Sequence, residues 1–317
     1  MAIYLSESDI DGLITMPETL EVLEEAFSAR SRGEIVNRPR VRIPITAGSY
    51  NLMPAGWVAK GVVGHKVYTA TAKGASFQIV IYAADGTGLL AVMGGLRISA
   101  LRTGGISGVA AKHLAAATGE PVAMIGTGIQ AKAQVLGVLA ATNAPEIRVF
   151  SRDAAKRDAF AATMTEMTGV PIRSAGSVDE AIDGVRTIVT ITNSAEPVLM
   201  ASQVKPGHTI VAAGINNWMK AEIDPAIAAA ADLVVVDDID DARIESGELM
   251  QAAELGLFSW DRAVHLHDVI GGVHPGRTSD DQIVLCELQG IGIEDVAVGA
   301  EVYTRARAKG LGLELPA

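Results

Sequence analysis

The segment MIGTGIQAKAQ, residues 124–134, contains the residue types that hold a dinucleotide. Gly126, Gly128 and Ala131 form a G-x-G-x-x-A pattern between an apolar run and a helix-like segment. The first glycine permits a tight turn, the second lets the backbone approach a pyrophosphate, and the alanine lets a helix pack closely on a sheet. The N–H groups and positive dipole end of the first helical turn favour phosphate. We therefore expect cofactor contacts at Gly126, Thr127, Gly128, Ile129 and Gln130.

The type of dinucleotide depends on the end of the next strand, VFSRD. Sites for NAD usually place an acid there, where it accepts hydrogen bonds from the ribose hydroxyls. This chain has Ser151 and Arg152 instead, and Asp153 follows one position later. Arg152 suits the 2′-phosphate of NADP, or it is a solvated residue before a helix that Asp153 caps. The expected cofactor is NAD or NADP, with Ser151 and Arg152 among its contacts.

These residues need a framework of buried strands, and the sequence predicts one. PVAMIG, IRVFS, RTIVTIT, HTIVAAG and LVVVDD are short, nearly all-apolar segments, most of them separated by segments with helical periodicity. This alternation predicts a doubly wound parallel sheet. Before it, FQIVIYAADGTGLLAVMGG predicts an antiparallel hairpin about Asp85-Gly86. The expected fold class is α/β: a Rossmann-like doubly wound parallel sheet plus an antiparallel β-rich N-terminal domain.

The change of pattern predicts two domains, which suits a chain of 317 residues. Residues 119–292 would form the Rossmann-like domain. The last helical segment, IEDVAVGAEVYTRARAKGLG, would return to the first domain. The first domain would therefore comprise residues 1–118 and 293–317.

Composition narrows the classes of partner. The net charge of -11 disfavours nucleic acid. A single cysteine, Cys286, excludes a disulfide within the chain and is consistent with the cytoplasm. No signal peptide or membrane span is visible. His265 and His267 lack further ligands at a metal-binding spacing, so we expect no metal site.

Nine segments, some of them already quoted and together spread over almost the whole chain, carry a family resemblance. They are RPRVRIPI, NLMPAG, GHKVYTA, ADGTGLLAVMGGLRISALRTGGIS, IGTGIQA, VTITNSAEPVL, GINNWMKAEID, DDARIESGEL and GVHPGRTSDDQIVL. Together, and in this order, they resemble the ornithine cyclodeaminase/mu-crystallin family, which includes alanine dehydrogenase-like enzymes and ketimine or iminosuccinate reductases. The resemblance implies a homodimer whose N-terminal domains form the interface and hold a small imino or amino acid facing the Rossmann-like domain.

The resemblance also assigns residues. Arg40 matches the family's arginine for the substrate carboxylate, Lys66 its active-site lysine and Arg102 the arginine of its LRT motif. Thr192 and Asn193 match the loop that passes the nicotinamide. HPGRTSDD, in which Gly276 and Thr278 match a family motif, would be a loop that closes over the active site.

The chemistry of these side chains agrees with the resemblance. Arg40 and Arg102 stand among apolar residues, where an unpaired guanidinium is costly. Each would bind a carboxylate bidentately or form an internal ion pair with an acid. Lys66 would bind the carboxylate, or donate a proton if burial lowers its pKa, or be a solvated lysine at a strand edge.

Two positions depart from the family's cyclodeaminases. Those enzymes carry an acid before the LMP motif and another after the G of a strand end, where this chain has Asn51 and Asn216. Amides can neither hold the distal ammonium of ornithine by charge nor act as a base. The alternative is that a neighbouring acid such as Asp237 takes over the role of the missing carboxylates. Asn51 would instead contact the substrate, and Asn216 would orient the imine nitrogen or the cofactor. We therefore expect imine reduction, with Lys66, Arg102 and Asn216 as catalytic residues.

The substrate side chain is predicted from further cations. Arg38, Arg40 and Arg42 would alternate onto one face of a strand, unless Arg38 and Arg42 are solvated loop charges. Several cations without a facing acid favour a dicarboxylate, and iminosuccinate, reduced to L-aspartate, is the preferred candidate. The alternatives are a cyclodeaminase that releases ammonia and a nicotinamide-binding protein without turnover.

Overall fold

The computed structural model describes residues 1–316, which form sixteen strands and eleven α-helices. The strands are β1 (Ile3–Leu5), β2 (Ile35–Asn37), β3 (Val41–Ile45), β4 (Gly48–Trp57), β5 (Val62–Thr71), β6 (Gly74–Ala83), β7 (Leu89–Gly94), β8 (Val122–Ile125), β9 (Ile147–Phe150), β10 (Ile172–Ser174), β11 (Thr187–Thr190), β12 (Thr209–Ala212), β13 (Leu233–Val236), β14 (Ala263–His265), β15 (Val284–Glu287) and β16 (Leu313–Glu314). The helices are α1 (Glu7–Ile10), α2 (Met16–Ser31), α3 (Leu96–Leu114), α4 (Ala131–Thr142), α5 (Ala154–Thr168), α6 (Val178–Ile182), α7 (Ala226–Ala230), α8 (Ile239–Glu245), α9 (Gly247–Glu254), α10 (Leu266–Ile270) and α11 (Gly292–Ala308).

The chain divides into two compact units. The first comprises Met1–Arg102 and the chain from Ile291 onward, and the second is Thr103–Gly290. The first division lies inside α3, whereas the hydrophobic pattern that placed the sequence-based boundary at 118/119 changes only after this helix ends. None of the helices formed by residues 1–316 has both the length and the apolar composition that a membrane crossing requires.

The first unit is built on an eight-stranded sheet of order β16-β1-β7-β6-β5-β4-β2, with β3 paired to β4. All neighbours are antiparallel except β1 and β7. The predicted hairpin is confirmed as β6 and β7, and Asp85 accepts a hydrogen bond from the backbone N–H of Thr87 at 2.9 Å in its turn.

Helix α11 returns to this sheet, as the sequence predicted. Its core face includes Ile293, Val296 and Val302, all fully buried. Glycines let its backbone approach the strands closely, since a Cβ at Gly292 would lie 2.8 Å from the carbonyl oxygen of Met53. The close approach carries the polar residues of its first turn into the interior of the unit.

The second unit contains a wholly parallel sheet of order β10-β9-β8-β11-β12-β15-β13-β14. This confirms the predicted Rossmann-like sheet. β9 and β11 flank β8 on opposite sides, so the strand order reverses at β8 and opens a crevice at its carboxyl end. The backbones of α3 and α4 lie so close together that a Cβ on Gly137 would clash with the carbonyl group of Gly104.

Candidate active site

A cavity of about 530 Å³ lies at the carboxyl ends of β8, β9 and β11 in the second unit. Its lining contains all nine cofactor-binding residues expected from the sequence: Gly126, Thr127, Gly128, Ile129, Gln130, Ser151, Arg152, Thr192 and Asn193. Lys156, Val198 and Gly214 also line it and were not foreseen. The sequence signal for Lys156 was weak, because a lysine one turn into a helix is usually solvated.

The glycine turn has the geometry that a dinucleotide requires. Gly126 has φ of 123°, and a Cβ there would clash with the carbonyl oxygen of Ile191. At Gly128 no protein atom lies within 4 Å of the Cβ position, so a ligand can approach the backbone. No side chain caps the amino end of α4, whose first N–H groups can donate to phosphate oxygens. These residues fit a bound pyrophosphate.

The end of β9 has features of both interpretations of VFSRD, a helix capped by Asp153 and a contact of Arg152 with the cofactor. Asp153 caps α5, accepting a hydrogen bond from the backbone N–H of Lys156 at 3.1 Å. Arg152 is exposed, yet it lines the cavity together with Lys156. Ser151 Oγ lies 2.8 Å from Thr127 Oγ1 and joins this strand end to the glycine turn.

Glu222 joins two of the segments that line the cavity. Its carboxylate accepts hydrogen bonds from the backbone N–H of Thr192 and, at 2.9 Å, from that of Gly214. Its own N–H donates to Glu248 Oε1 at 2.5 Å. Burial raises the pKa of Glu222 to about 7, against the lowering effect of the hydrogen bonds from Thr192.

The first unit contains a buried group of cations and acids. Lys66 Nζ lies 2.8 Å from Asp295 Oδ2 and 3.3 Å from Ser99 Oγ. Arg102 donates from Nη1 to Glu294 Oε2 at 2.7 Å and from Nε to Asp295 Oδ1 at 3.1 Å. Asp295 therefore bridges Lys66 and Arg102.

Lys66 and Arg102 differ in the direction of their pKa shifts. Burial lowers the pKa of Lys66 to about 7, and the charges of Arg102 and Arg40 add to this effect while Asp295 opposes it. Burial acts to lower the pKa of Arg102 too, but Asp295 and Glu294 raise it above its usual value. Near neutral pH, Lys66 can gain or lose its proton while Arg102 stays charged.

The ion-pair partners of Arg102 are residues that the sequence analysis missed. An internal ion pair was one of the two interpretations of this arginine, and the structure shows one. The acids are Glu294 and Asp295, in the first turn of α11. A signal existed in IED, but acids at the start of a helix usually face solvent and interact with the helix dipole.

The expected common face of Arg38, Arg40 and Arg42 is wrong. β3 begins only at Val41, so Arg38 and Arg40 precede the strand and the alternation of an extended strand does not apply to them. Arg40 is buried at 7% exposure, whereas Arg38 and Arg42 are exposed. Only Arg40 has the burial expected of a residue in an enclosed site.

Asn51 lies on the same face of the sheet as Lys66. It pairs with Tyr68 across β4 and β5, and Tyr68 stands two positions from Lys66 along β5. Asn51 is buried, and its Oδ1 accepts a hydrogen bond from Arg42 Nε at 3.1 Å. Its Nδ2 donates to Ser49 Oγ at 3.0 Å.

Asn216 lies in the irregular segment that follows β12, and its side chain is exposed. The hydrophobic side chains of Trp218 and Met219 in the same segment are also exposed, at 56% and 65%. Glu222, at 1% exposure, is the buried end of this segment.

The segment HPGRTSDD, expected to close over the site, lies at the opposite ends of the strands from the cavity. Arg277 donates to the carbonyl oxygen of Gln282 at 2.5 Å and to Thr209 Oγ1 at 2.7 Å. Thr209 begins β12, and Gln282 just precedes β15. These are amino ends of strands, whereas the cavity is at carboxyl ends, so the expectation was wrong.

The ring centroids of His265 and His267 lie 4.5 Å apart, and the ring planes are tilted by 31°. Within residues 1–316, no group of three or more histidine, cysteine or acidic side chains is arranged to hold a metal ion.

Known proteins resemble the chain over nearly its whole length. The model of the Ornithine cyclodeaminase/mu-crystallin family matches residues 2–310. Delta(1)-pyrroline-2-carboxylate reductase of Thermococcus litoralis, in complex with NADH and L-proline, superposes with a TM-score of 0.93 at 26% identity, covering 99% of this chain and 100% of that one. An archaeal alanine dehydrogenase dimer with bound NAD gives 0.92 at 28% identity, with 99% of each chain covered. The iminosuccinate reductase of Paracoccus denitrificans, in complex with NAD+, gives 0.91 at 26%, covering 100% of this chain and 99% of that one.

Proposed function

The chain belongs to the ornithine cyclodeaminase/mu-crystallin family, and we propose that it is an NAD(P)-dependent oxidoreductase that reduces a small imino acid to an L-amino acid. The observation that carries this proposal is the buried group of Lys66, Arg102 and Asp295. Buried cations of this kind suit a substrate carboxylate. The cavity of the second unit supplies a site for the cofactor, and the three similar structures are two imine reductases and an amino-acid dehydrogenase.

Arg40, Lys66 and Arg102 would bind the α-carboxylate of the substrate. A guanidinium presents a planar fork that matches a carboxylate, and Glu294 and Asp295 hold the fork of Arg102 in one orientation. A fixed carboxylate in turn fixes the neighbouring imine carbon. Such positioning can remove a large part of the barrier to a reaction between two bound molecules.

The rest of the reaction adds one hydride and one proton to the substrate. A nicotinamide cofactor held by the residues that line the cavity of the second unit would supply a hydride. The hydride pair forms a new C–H bond at the imine carbon, and the π electrons of the protonated C=N bond become the lone pair of a neutral amine. That amine then takes one proton. Lys66, with a pKa of about 7, can supply it at neutral pH, and Asn216 would orient the imine nitrogen or the cofactor.

Several contacts disfavour the cyclodeaminase alternative. Asn51 carries no charge and is hydrogen-bonded to Arg42 and Ser49. Asp237, the neighbouring acid considered as a replacement for the missing carboxylates, accepts hydrogen bonds from the backbone N–H groups of Asp238 at 2.8 Å and Gly290 at 2.7 Å. It is fully buried, and its carboxylate joins the chain after β13 to the chain after β15.

Iminosuccinate is the substrate that we propose. The expectation of cations without a facing acid is wrong for Lys66 and Arg102, which are paired with Glu294 and Asp295. The second carboxylate therefore needs a further cation. Arg42 is the candidate, because it pairs with Asn51 across β3 and β4, and Asn51 shares a sheet face with Lys66. A carboxylate beyond the imine carbon would meet the guanidinium of Arg42 on that face, where its Nε already donates to Asn51 Oδ1.

A substrate panel tests the proposal. Keto acids are mixed with ammonia and offered with NADH and with NADPH: oxaloacetate forms iminosuccinate, and pyruvate forms an imine with a neutral side chain. Arg42→Ala should raise the KM for oxaloacetate with ammonia about tenfold, the cost of one charge-assisted hydrogen bond, and leave that for pyruvate unchanged. Arg38→Ala, which removes an exposed arginine from the same region, is the matched control.

Other results would select the alternatives. Equal effects of Arg42→Ala on both keto acids would remove Arg42 from the distal carboxylate site. Proline and ammonia formed from ornithine with catalytic NAD would identify a cyclodeaminase. Absence of NAD(P)H oxidation over the whole panel would favour a nicotinamide-binding protein without turnover.

The proposed assembly is a homodimer formed through the first unit. All five residues of β3 are exposed, and Val41, Ile43 and Ile45 expose 49%, 51% and 40% of their surface. An edge strand with exposed apolar side chains favours pairing with another chain. The similar alanine dehydrogenase is a dimer.

A further inference from the structure

We propose that Glu222 is a positioning residue that fixes the two segments lining one side of the cofactor cavity, and that its carboxylate sets the affinity for the dinucleotide. The inference rests on the proposed function only for the identity of that ligand. No role in binding substrate is assigned to Glu222.

The hydrogen bonds of Glu222 continue the sheet beyond its last backbone pair. The N–H of Ala213 donates to the carbonyl oxygen of Thr190 at 3.0 Å, which is the end of the pairing between β11 and β12. One position beyond, Gly214 offers an N–H, and so does Thr192 on the neighbouring segment. The carboxylate of Glu222 accepts both, one on each oxygen.

The carboxylate of Glu222 is closely enclosed by the two segments. A Cβ on Gly214 would overlap the carbonyl oxygen of Thr192 and both carboxylate oxygens of Glu222. Only glycine therefore lets the two segments approach each other with Glu222 between them. Thr192 and Gly214 both line the cavity, so the position of Glu222 determines the shape of that wall.

The surroundings of Glu222 make its charge sensitive to pH. The groups that face it are the hydroxyl of Thr192, the hydroxyl of Thr190 from β11, and the carboxyls of Glu248 from α9 and Glu287 from β15. Burial and the neighbouring acid favour the protonated form, so the pKa is about 7. The ionised carboxylate accepts both N–H groups. The protonated form presents an O–H on one oxygen, so one of the two acceptors weakens.

Cofactor binding without substrate tests this inference. The dissociation constants of NADH and NADPH would be measured by fluorescence between pH 6 and 8.5. For the wild type we expect the preferred cofactor to bind several-fold more weakly at pH 6 than at pH 8. At pH 8, Glu222→Gln should bind it on the order of tenfold more weakly than the wild type does, because the amide NH₂ faces one backbone donor. At pH 6, the affinities of the variant and the wild type should differ little. Glu196→Gln removes one charge from an exposed side chain near Thr192 and should behave as the wild type.

The wild-type protein alone supplies a second measurement, which holds even if Glu222→Gln does not fold. Hydrogen exchange at the amides of Thr192 and Gly214, corrected for the intrinsic pH dependence, should lose protection as pH falls from 8 to 6. Unchanged protection together with a flat binding profile would overturn the inference. Because substrate is absent from both assays, cofactor binding with the expected pH profile but no imine reduction would reject the proposed function alone.

Discussion

At the scale of single residues, Lys66 is a buried cation whose protonation state changes near neutral pH. Its amino group is buried beside the charges of Arg102 and Arg40, and one carboxylate of Asp295 offsets part of their repulsion. A lysine in bulk water would be charged at every physiological pH. Here burial lowers the pKa to about 7, so protonation can be coupled to the arrival of a substrate anion.

The pH dependence of anion binding follows from this pKa. Below pH 7 Lys66 is charged and attracts a carboxylate; above pH 7 it is neutral and the attraction is lost. The inhibition constant of a 2-hydroxy acid such as malate, whose carboxylates stay ionised, should therefore rise about fivefold between pH 7 and pH 8. Lys66→Arg, which keeps its charge, should remove the slope. A flat wild-type profile would mean that Lys66 does not contact the anion.

The sequence revealed the cations of the site better than their partners. Arg40, Lys66 and Arg102 could be singled out because a charge within an apolar segment needs an explanation, and the family resemblance supplied one. Glu294 and Asp295 stand nearly two hundred positions from Arg102, a separation that local patterns cannot bridge. Glu222 belonged to a matched segment, but its burial and its backbone hydrogen bonds depend on the tertiary fold.

At the scale of elements, the contact between α3 and α4 holds the helix that follows the glycine turn. Gly104 and Gly137 bring the two helix backbones together, and α4 carries the turn at its amino end. A methyl group in this contact must push the helices apart, because the obstacle is backbone rather than a flexible side chain.

Gly137→Ala should therefore destabilise the protein by about 1–3 kcal/mol, the usual cost of overpacking, and weaken NAD(P)H binding. Thermal unfolding and cofactor titration would measure the two effects. Ala140→Ser adds one heavy atom to the exposed side of the same helix and should change neither. A Gly137→Ala variant as stable as the wild type would contradict the tight contact.

Elements were predictable where a short pattern dictates them. The alternation of apolar strands and helices predicted the parallel sheet, and Asp85-Gly86 predicted the β6–β7 hairpin. The beginning of β3 and the position of HPGRTSDD were not predictable. Strand limits depend on pairing with β4, and the anchoring of Arg277 on Thr209 joins distant parts of the chain.

At the scale of the whole molecule, the exposed face of β3 predicts the assembly state. The wild-type protein should have twice the mass of one chain by light scattering. Ile43→Asp should shift the population toward single chains, because a buried carboxylate without a partner is costly. Leu255→Asp, at a position 68% exposed in the second unit, is the control. A dimer that persists unchanged in Ile43→Asp would place the interface elsewhere.

The discontinuity of the first unit also has a consequence for the order of events during synthesis on the ribosome. The second unit is one uninterrupted stretch, Thr103–Gly290, and all of its strands are available once that stretch has emerged. The first unit emerges earlier but lacks α11, which covers its sheet and supplies Glu294 and Asp295. Until residues 292–308 are made, Lys66 and Arg102 lack these two counter-charges. The unit that begins first therefore finishes last, and the buried group of Lys66, Arg102 and Asp295 forms only after the parallel sheet of the second unit can fold.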